Sequence, residues 1–101
     1  MSQQDFVSQA AAVAGQYNIP VNIFNSLIGA ESSWNPNAQA NGSTAFGLTQ
    51  LTAGTARDMG VTDITDPNQQ LNGGAKYLAQ QYATFGNWPD ALSAYNQGPG
   101  G

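Results

Sequence analysis

"DPNQQLNGGAKYLAQQYATFG", residues 66–86, reads as one helix with both of its ends marked. Asp66 offers an acceptor to the unpaired amides of a first turn, Pro67 suits the first helical position, and Gln69 completes a capping box with Asp66. Leu71, Ala75, Leu78, Tyr82 and Phe85 then recur at the three- and four-residue spacing of a single helix face, and Gly86 stops the run. Upstream, Ser2 with Asp5 makes a second capping pair, and Phe6, Val7, Ala10, Val13, Ala14 and Tyr17 keep the same period behind it. Pro20 suits the first turn of another helix, expected to run to about Trp34 because Pro36 biases Asn35 away from helical geometry. A helix is expected from about Thr52 to Gly60. Pro89 opens a last one through "DALSAYNQ", terminated by Gly98 to Gly101. Between them, "NPNAQANGSTA" (35–45) is a polar loop too short to link two domains, and "FGLTQL" (46–51) reads as a short helical turn. No segment alternates as a strand should, and no internal repeat is found. The expected fold is all-α, about five helices in a single domain over residues 1–101.

Composition narrows the function. The 101 residues suffice for one core, and the hydrophobic fraction of 41% is ordinary, but only 8% of residues are charged. Polarity comes instead from Asn, Gln, Ser and Thr, which suits a neutral partner rich in hydrogen-bonding groups, such as carbohydrate. A net charge of −4, with Arg57 and Lys76 the sole cations, argues against nucleic acid, because no basic patch is available to neutralise phosphates. Without cysteine or histidine there are no disulfides, no thiolate metal sites and no imidazole acid–base group. No metal or cofactor is expected, and proton transfer near neutral pH falls to a perturbed carboxylate or a tyrosine. The first fifteen residues lack the basic start and continuous apolar core of a signal peptide, and no run reaches membrane-spanning length. A site of action outside the cytoplasm would therefore need another carrier: a larger polypeptide, a phage particle, a secretion apparatus, or a leader already removed.

The only glutamate of the chain lies in "GAESSWNP", residues 29–36. At about 100° per residue, Val21, Phe24, Leu27 and Ile28 gather on one side of the second helix, and Glu31 falls near the middle of that stripe. A carboxylate aimed at a core loses hydration, its pKa rises, and a carboxyl still protonated near neutral pH is able to donate a proton. The bland alternatives are a glutamate at a helix end reaching for water, or one paired with Arg57 or Lys76. Gly29 and Ala30 leave room for something to approach the carboxyl, or simply let helices pack closely. Tyr95, near a helix end beside Asn96, is placed either to orient a carboxyl or to fill the core. Trp34 and Trp88 are equally open, as platforms for sugar rings or as core anchors. Asp5, Asp58, Asp63, Asp66 and Asp90 read as caps or solvent-facing positions, so no second carboxylate accompanies Glu31.

Four segments taken together, "ESSWNPNA", "GLTQLTAGTA", "DPNQQLNGGAKYL" and "ALSAYNQGPG", resemble the catalytic domain of soluble lytic transglycosylases. They stand in order and at sensible spacing over about residues 20–101. The resemblance implies a lysozyme-like, goose-type helical fold acting on peptidoglycan glycan strands at the cell wall or in the periplasm. It implies Glu31 as catalytic acid and base, with Ser32 its partner in the motif, and Gln50 lining the sugar cleft. Thr49 stands where the family usually has a methionine against the sugar. Tyr95 and Asn96 match residues that contact the catalytic glutamate and the substrate. Relatives usually continue beyond the equivalent of Gly101, so part of the cleft wall is expected from a longer parent chain. The chemistry implied is cleavage between N-acetylmuramic acid and N-acetylglucosamine with formation of a 1,6-anhydro product. The alternatives are a hydrolytic muramidase of the same fold and a non-catalytic peptidoglycan-binding or virion structural module.

Overall fold

Ser2 and Asp5 cap each other's backbone at the head of the first helix, α1 (Gln3–Gln16), as their spacing foretold. This is a computed structural model, and it describes residues 2–97. Four further helices follow: α2 (Val21–Ser32), α3 (Ala53–Asp58), α4 (Pro67–Phe85) and α5 (Trp88–Gln97). There is no strand among the described residues, only one isolated antiparallel bridge between Phe46 and Leu51. The all-α expectation holds. The expected role of Gly98 to Gly101 as terminators lies outside the described residues.

Short chain reversals set how the helices meet. After α1, Asn18 takes the left-handed conformation (φ 58°), and the Ile19 amide donates back to the Ala14 carbonyl at 2.9 Å. That closure satisfies a helix-end carbonyl and buries Ile19. After α3, Gly60 (φ +84°) and Val61 do the same, the Val61 amide reaching Ala56 at 2.9 Å. α4 packs on both α1 and α5, and α1 on α2. The core between them holds Phe6, Val13, Phe24, Leu27, Ile28, Leu71, Leu78 and Tyr95, joined by Leu48 and Leu51 from the 46–51 segment.

Several expected details are corrected. α2 stops at Ser32 rather than Trp34, because Ser33 and Trp34 both take positive φ (52° and 64°). Val21, placed on the apolar stripe by periodicity, is 42% exposed, since it sits in the first turn beyond the reach of α1. Tyr82 and Phe85 are 37% and 48% exposed for the like reason that the last turns of α4 overhang the core. Trp88 packs partly buried, its ring stacked on Tyr82 with centroids 4.0 Å apart. Residues 46–51 form a tight turn closed by the Phe46 amide donating to the Leu51 carbonyl at 3.2 Å, not a turn of helix. Finally, Asp66 does cap α4, accepting from the Asn68 amide at 3.0 Å, but Gln69 does not complete a box. Its Oε1 instead accepts from the Thr62 and Asp63 amides at 2.8 and 3.1 Å, pinning the preceding loop.

The neighbouring glutamine does more. Gln70 is fully buried in the first turn of α4, and every polar atom of its side chain is paired. Its Oε1 accepts from the Leu48 amide at 2.8 Å, while its Nε2 donates to the Pro36 and Ile64 carbonyls at 3.0 and 2.7 Å. One carboxamide thus joins two distant points of the α2–α3 connection to the loop before α4. Two glycines make room for this: a Cβ on Gly47 would land on the Gln70 carboxamide, and a Cβ on Gly74 would land on the Thr49 side chain. A Gln70→Leu substitution keeps bulk but strands one amide and two carbonyls in a dry environment. The expected loss is about 3 kcal/mol or more, at about 1–3 kcal/mol for each buried group left unpaired. Urea unfolding measures it, and a loss below about 1 kcal/mol would mean that water takes over these bonds.

Candidate active site

Glu31 occupies the last turn of α2, and the way that helix ends determines what surrounds it. The Ser33 amide closes on the Gly29 carbonyl at 3.0 Å, and two successive left-handed residues then turn the chain sharply. Positive φ is unfavourable for serine and more so for tryptophan, so packing must hold it, and such strain concentrates at functional sites. The Trp34 ring folds back along the helix, with its Nε1 3.9 Å from where a Gly29 side chain would begin. It packs, partly buried, on the core, so Trp34 is an anchor in this structure.

The Glu31 side chain is half-buried. Its Oε1 is fully enclosed and has no hydrogen-bond partner. Burial pushes its pKa above the ordinary 4.5, and no cation opposes the shift. The pairing with Arg57 or Lys76 that would have made it a structural residue is therefore not what this site uses. Both cations are exposed.

Tyr95, on α5, is fully buried beside it. Its hydroxyl donates to the Thr49 carbonyl at 2.6 Å, so it does not donate to Glu31 as a carboxyl-orienting residue would. Burial raises the pKa of this phenol far above the ordinary 10, and the charge of Glu31 adds to the rise. Tyr77 packs against the Tyr95 ring with centroids 5.1 Å apart and planes tilted by 59°.

Ser32, Thr49 and Gln50 come to the same place, but their polar atoms turn inward. Ser32 Oγ lies 2.7 Å from the Leu48 carbonyl and 3.0 Å from that of Ile28, so its single proton ties α2 to the 46–51 turn. Thr49 is fully buried, with its hydroxyl donating to the Gln70 carbonyl at 2.7 Å, and it has no surface left to meet a sugar. Gln50 adopts φ 54°, and its Nε2 donates to the Ala38 and Gly47 carbonyls at 2.7 and 2.8 Å. These three shape the site through the backbone they hold. Asn96, one residue after Tyr95, is exposed.

Of the sequence-derived residues, Ser32 and Tyr95 are tied to the 46–51 turn that carries Thr49 and Gln50, and Glu31 stands next to Ser32 with no hydrogen bond of its own. Gln70 was missed. Its signal was an amide directly before Leu71, with Gly73, Gly74 and Tyr77 at helical spacing on the same buried face. No aspartate joins these residues. Asp5 and Asp66 cap helices, Asp63 accepts from Thr65, Asp90 pairs with Asn87, and Asp58 is exposed at the end of α3. Among the described residues no group of acidic side chains is placed to hold a metal ion.

Comparison with known proteins gives this geometry a family. The family described as "Transglycosylase SLT domain" matches residues 8–101. The chain belongs to it. The resemblance carried by the four sequence motifs is thereby borne out. The SLT domain is 38% identical over 87 residues to "Transglycosylase" of Enterobacteria phage PRD1, covering 86% of this chain and 32% of that protein. It is 44% identical over 77 residues to "Membrane-bound lytic murein transglycosylase F" of Stutzerimonas stutzeri, covering 69% of this chain and 16% of the relative. A related transglycosylase F 2 of Alkalilimnicola ehrlichii is 36% identical over 90 residues, 82% of this chain and 20% of its own length. The chain thus spans no more than about a third of the curated relatives it matches. Among the described residues no helix is long and apolar enough to cross a membrane.

The raised pKa of Glu31 has a consequence for stability whose sign is fixed. The folded state favours the protonated carboxyl, so the contribution of this group is full below the unfolded pKa and is lost as pH rises through the folded one. Glu31→Gln never ionises. Relative to the parent, its urea midpoint is expected to improve between about pH 4 and pH 7. A mutant that weakens over that range would place a favourable charged partner beside Glu31.

Proposed function

We propose that this SLT domain is the catalytic module of a peptidoglycan lytic transglycosylase, with Glu31 as both its general acid and its general base. The observation that carries the reading is a single desolvated carboxyl, one oxygen unpartnered and no second carboxylate beside it. Glycosidases that rely on two carboxyls place them about 5–10 Å apart across the scissile bond. Here one group has to serve twice.

Glu31, protonated, donates its proton to the glycosidic oxygen between N-acetylmuramic acid and N-acetylglucosamine as the C1–O bond breaks. The 2-acetamido oxygen of the muramic acid shares the positive charge at C1. The Glu31 carboxylate then removes the proton from the 6-hydroxyl of the same sugar, and O6 closes on C1. The product is a 1,6-anhydro sugar, and Glu31 is protonated again. Because the nucleophile belongs to the substrate, its attack needs no bound water and gains from intramolecular proximity. The buried Tyr95 supports this by helping to keep the carboxyl dehydrated. Ser32, Thr49 and Gln50 support it by holding the backbone of the neighbouring segments in place, and exposed Asn96 is assigned to the substrate. Relatives named lytic murein transglycosylase support a murein substrate, and the low charge of the chain suits a neutral glycan.

The reading is tested on purified sacculi. The expected soluble products are anhydro-muropeptides, and Glu31→Gln is expected to release none. Products roughly 18 Da heavier, with one added water at a reducing end, would instead establish a muramidase. Absence of release by the parent chain would leave a binding module.

A further inference from the structure

Besides the Glu31 site, the surface carries a concavity of about 220 Å³ between α3 and residues 61–64. Ala53, Ala56, Val61 and Ile64 give it apolar walls, while Thr44, Arg57 and Thr62 supply its polar edge, the Thr62 hydroxyl being spent on Gln69 Oε1 at 3.2 Å. Arg57 is one of only two cations in a chain of net charge −4, and it is the only charged residue lining the concavity. The acidic neighbours are turned elsewhere: the Asp63 carboxylate accepts from the Thr65 amide and hydroxyl at 3.0 and 2.6 Å, and Asp58 is not part of the lining. Thr44 Oγ1 accepts from the Ala53 amide at 3.1 Å, which leaves its own proton available to a ligand.

The walls are also held firmly. Thr62 is fixed through its amide to Gln69, and the Ile64 carbonyl accepts from Gln70 Nε2, the same group that secures Pro36 in the loop after Glu31. The volume falls below the roughly 300–1,000 Å³ of sites that take a drug-sized ligand. It therefore fits the end of a chain. One guanidinium and one hydroxyl match a single carboxylate, since Arg presents its donors in a planar fork. The walls, made of one- to four-carbon side chains, match small aliphatic groups.

We propose that this concavity binds the free carboxylate end of a short peptide of small aliphatic residues, with Arg57 on the carboxylate and the apolar wall against the side chains. The stem peptides of peptidoglycan are of this chemical class. Only that choice of source rests on the function proposed above. The probe is acetyl-D-alanyl-D-alanine, compared with its C-terminal amide by amide-shift titration of the whole chain. Saturable shifts at residues 53–57 and 61–64 are expected for the acid, and affinity about tenfold lower for the amide, as for loss of one charge-assisted bond. Arg57→Gln is expected to lose about the same factor, and Ala53→Phe, which fills the concavity and keeps the cation, is expected to lose binding too. On glycan substrates, Arg57→Gln is expected to slow solubilisation of intact sacculi but not of strands stripped of peptide. Equal affinity for acid and amide, parental affinity in Arg57→Gln, or an equal slowing on both substrates overturns the proposal. Failure of the parent chain to solubilise either substrate would count against the enzyme reading alone, because the peptide titration needs no turnover.

Discussion

A single buried carboxamide holds the functional half of this domain together. Gln70 accepts a hydrogen bond from the Leu48 amide and donates two, to the Pro36 and Ile64 carbonyls, so three segments of chain are fixed relative to α4. From there the order propagates. The Gln70 carbonyl receives the Thr49 hydroxyl, the Thr49 carbonyl receives the Tyr95 hydroxyl, and the Leu48 carbonyl receives Ser32 next to Glu31. Each bond contributes only about 1 kcal/mol net, but leaving any of these buried groups unpaired costs more than the bond contributes. The network is therefore held by the cost of its own disruption. Gly47 and Gly74 supply the close approach it needs.

Much of the architecture was legible because the helices announce themselves locally. Ser2 with Asp5, Asp66 with Pro67, and Gly86 are side-chain and backbone signals that act within one turn, and all three mark real helix ends. The misreadings share a cause. Periodicity reports which face is apolar, not how far the opposing helix extends, so Val21, Tyr82 and Phe85 were assigned to a core that stops short of them. Gln69 satisfied the spacing of a capping box, yet tertiary contacts with Thr62 and Asp63 claimed its oxygen. The 46–51 segment lacks any period, and its turn is fixed from outside by Gln70.

The site was legible in its membership and less so in its geometry. Motif spacing assembled Glu31, Ser32, Thr49, Gln50 and Tyr95, but it could not tell which side chains face outward. Three of the five spend their side-chain donors on backbone carbonyls, and Tyr95 bonds to the turn rather than to the glutamate. Residue type gave no warning of this, because serine, threonine and glutamine serve a substrate and a buried carbonyl equally well. Gln70 escaped notice for the opposite reason: a glutamine in a first helical turn is usually a surface residue.

What remains in the middle is one carboxyl deprived of water and given no partner in return. A fold selected only for stability would not keep it, since an unpaired buried oxygen is a standing cost. The account therefore stands on the protonation of Glu31, and the chain allows that to be measured without ambiguity. Glu31 is the only glutamate, so glutamate labelled with carbon-13 at the side-chain carboxyl gives a single resonance to follow through a pH titration. A midpoint above the ordinary 4.5 is the predicted result, and a midpoint at or below it would contradict the account.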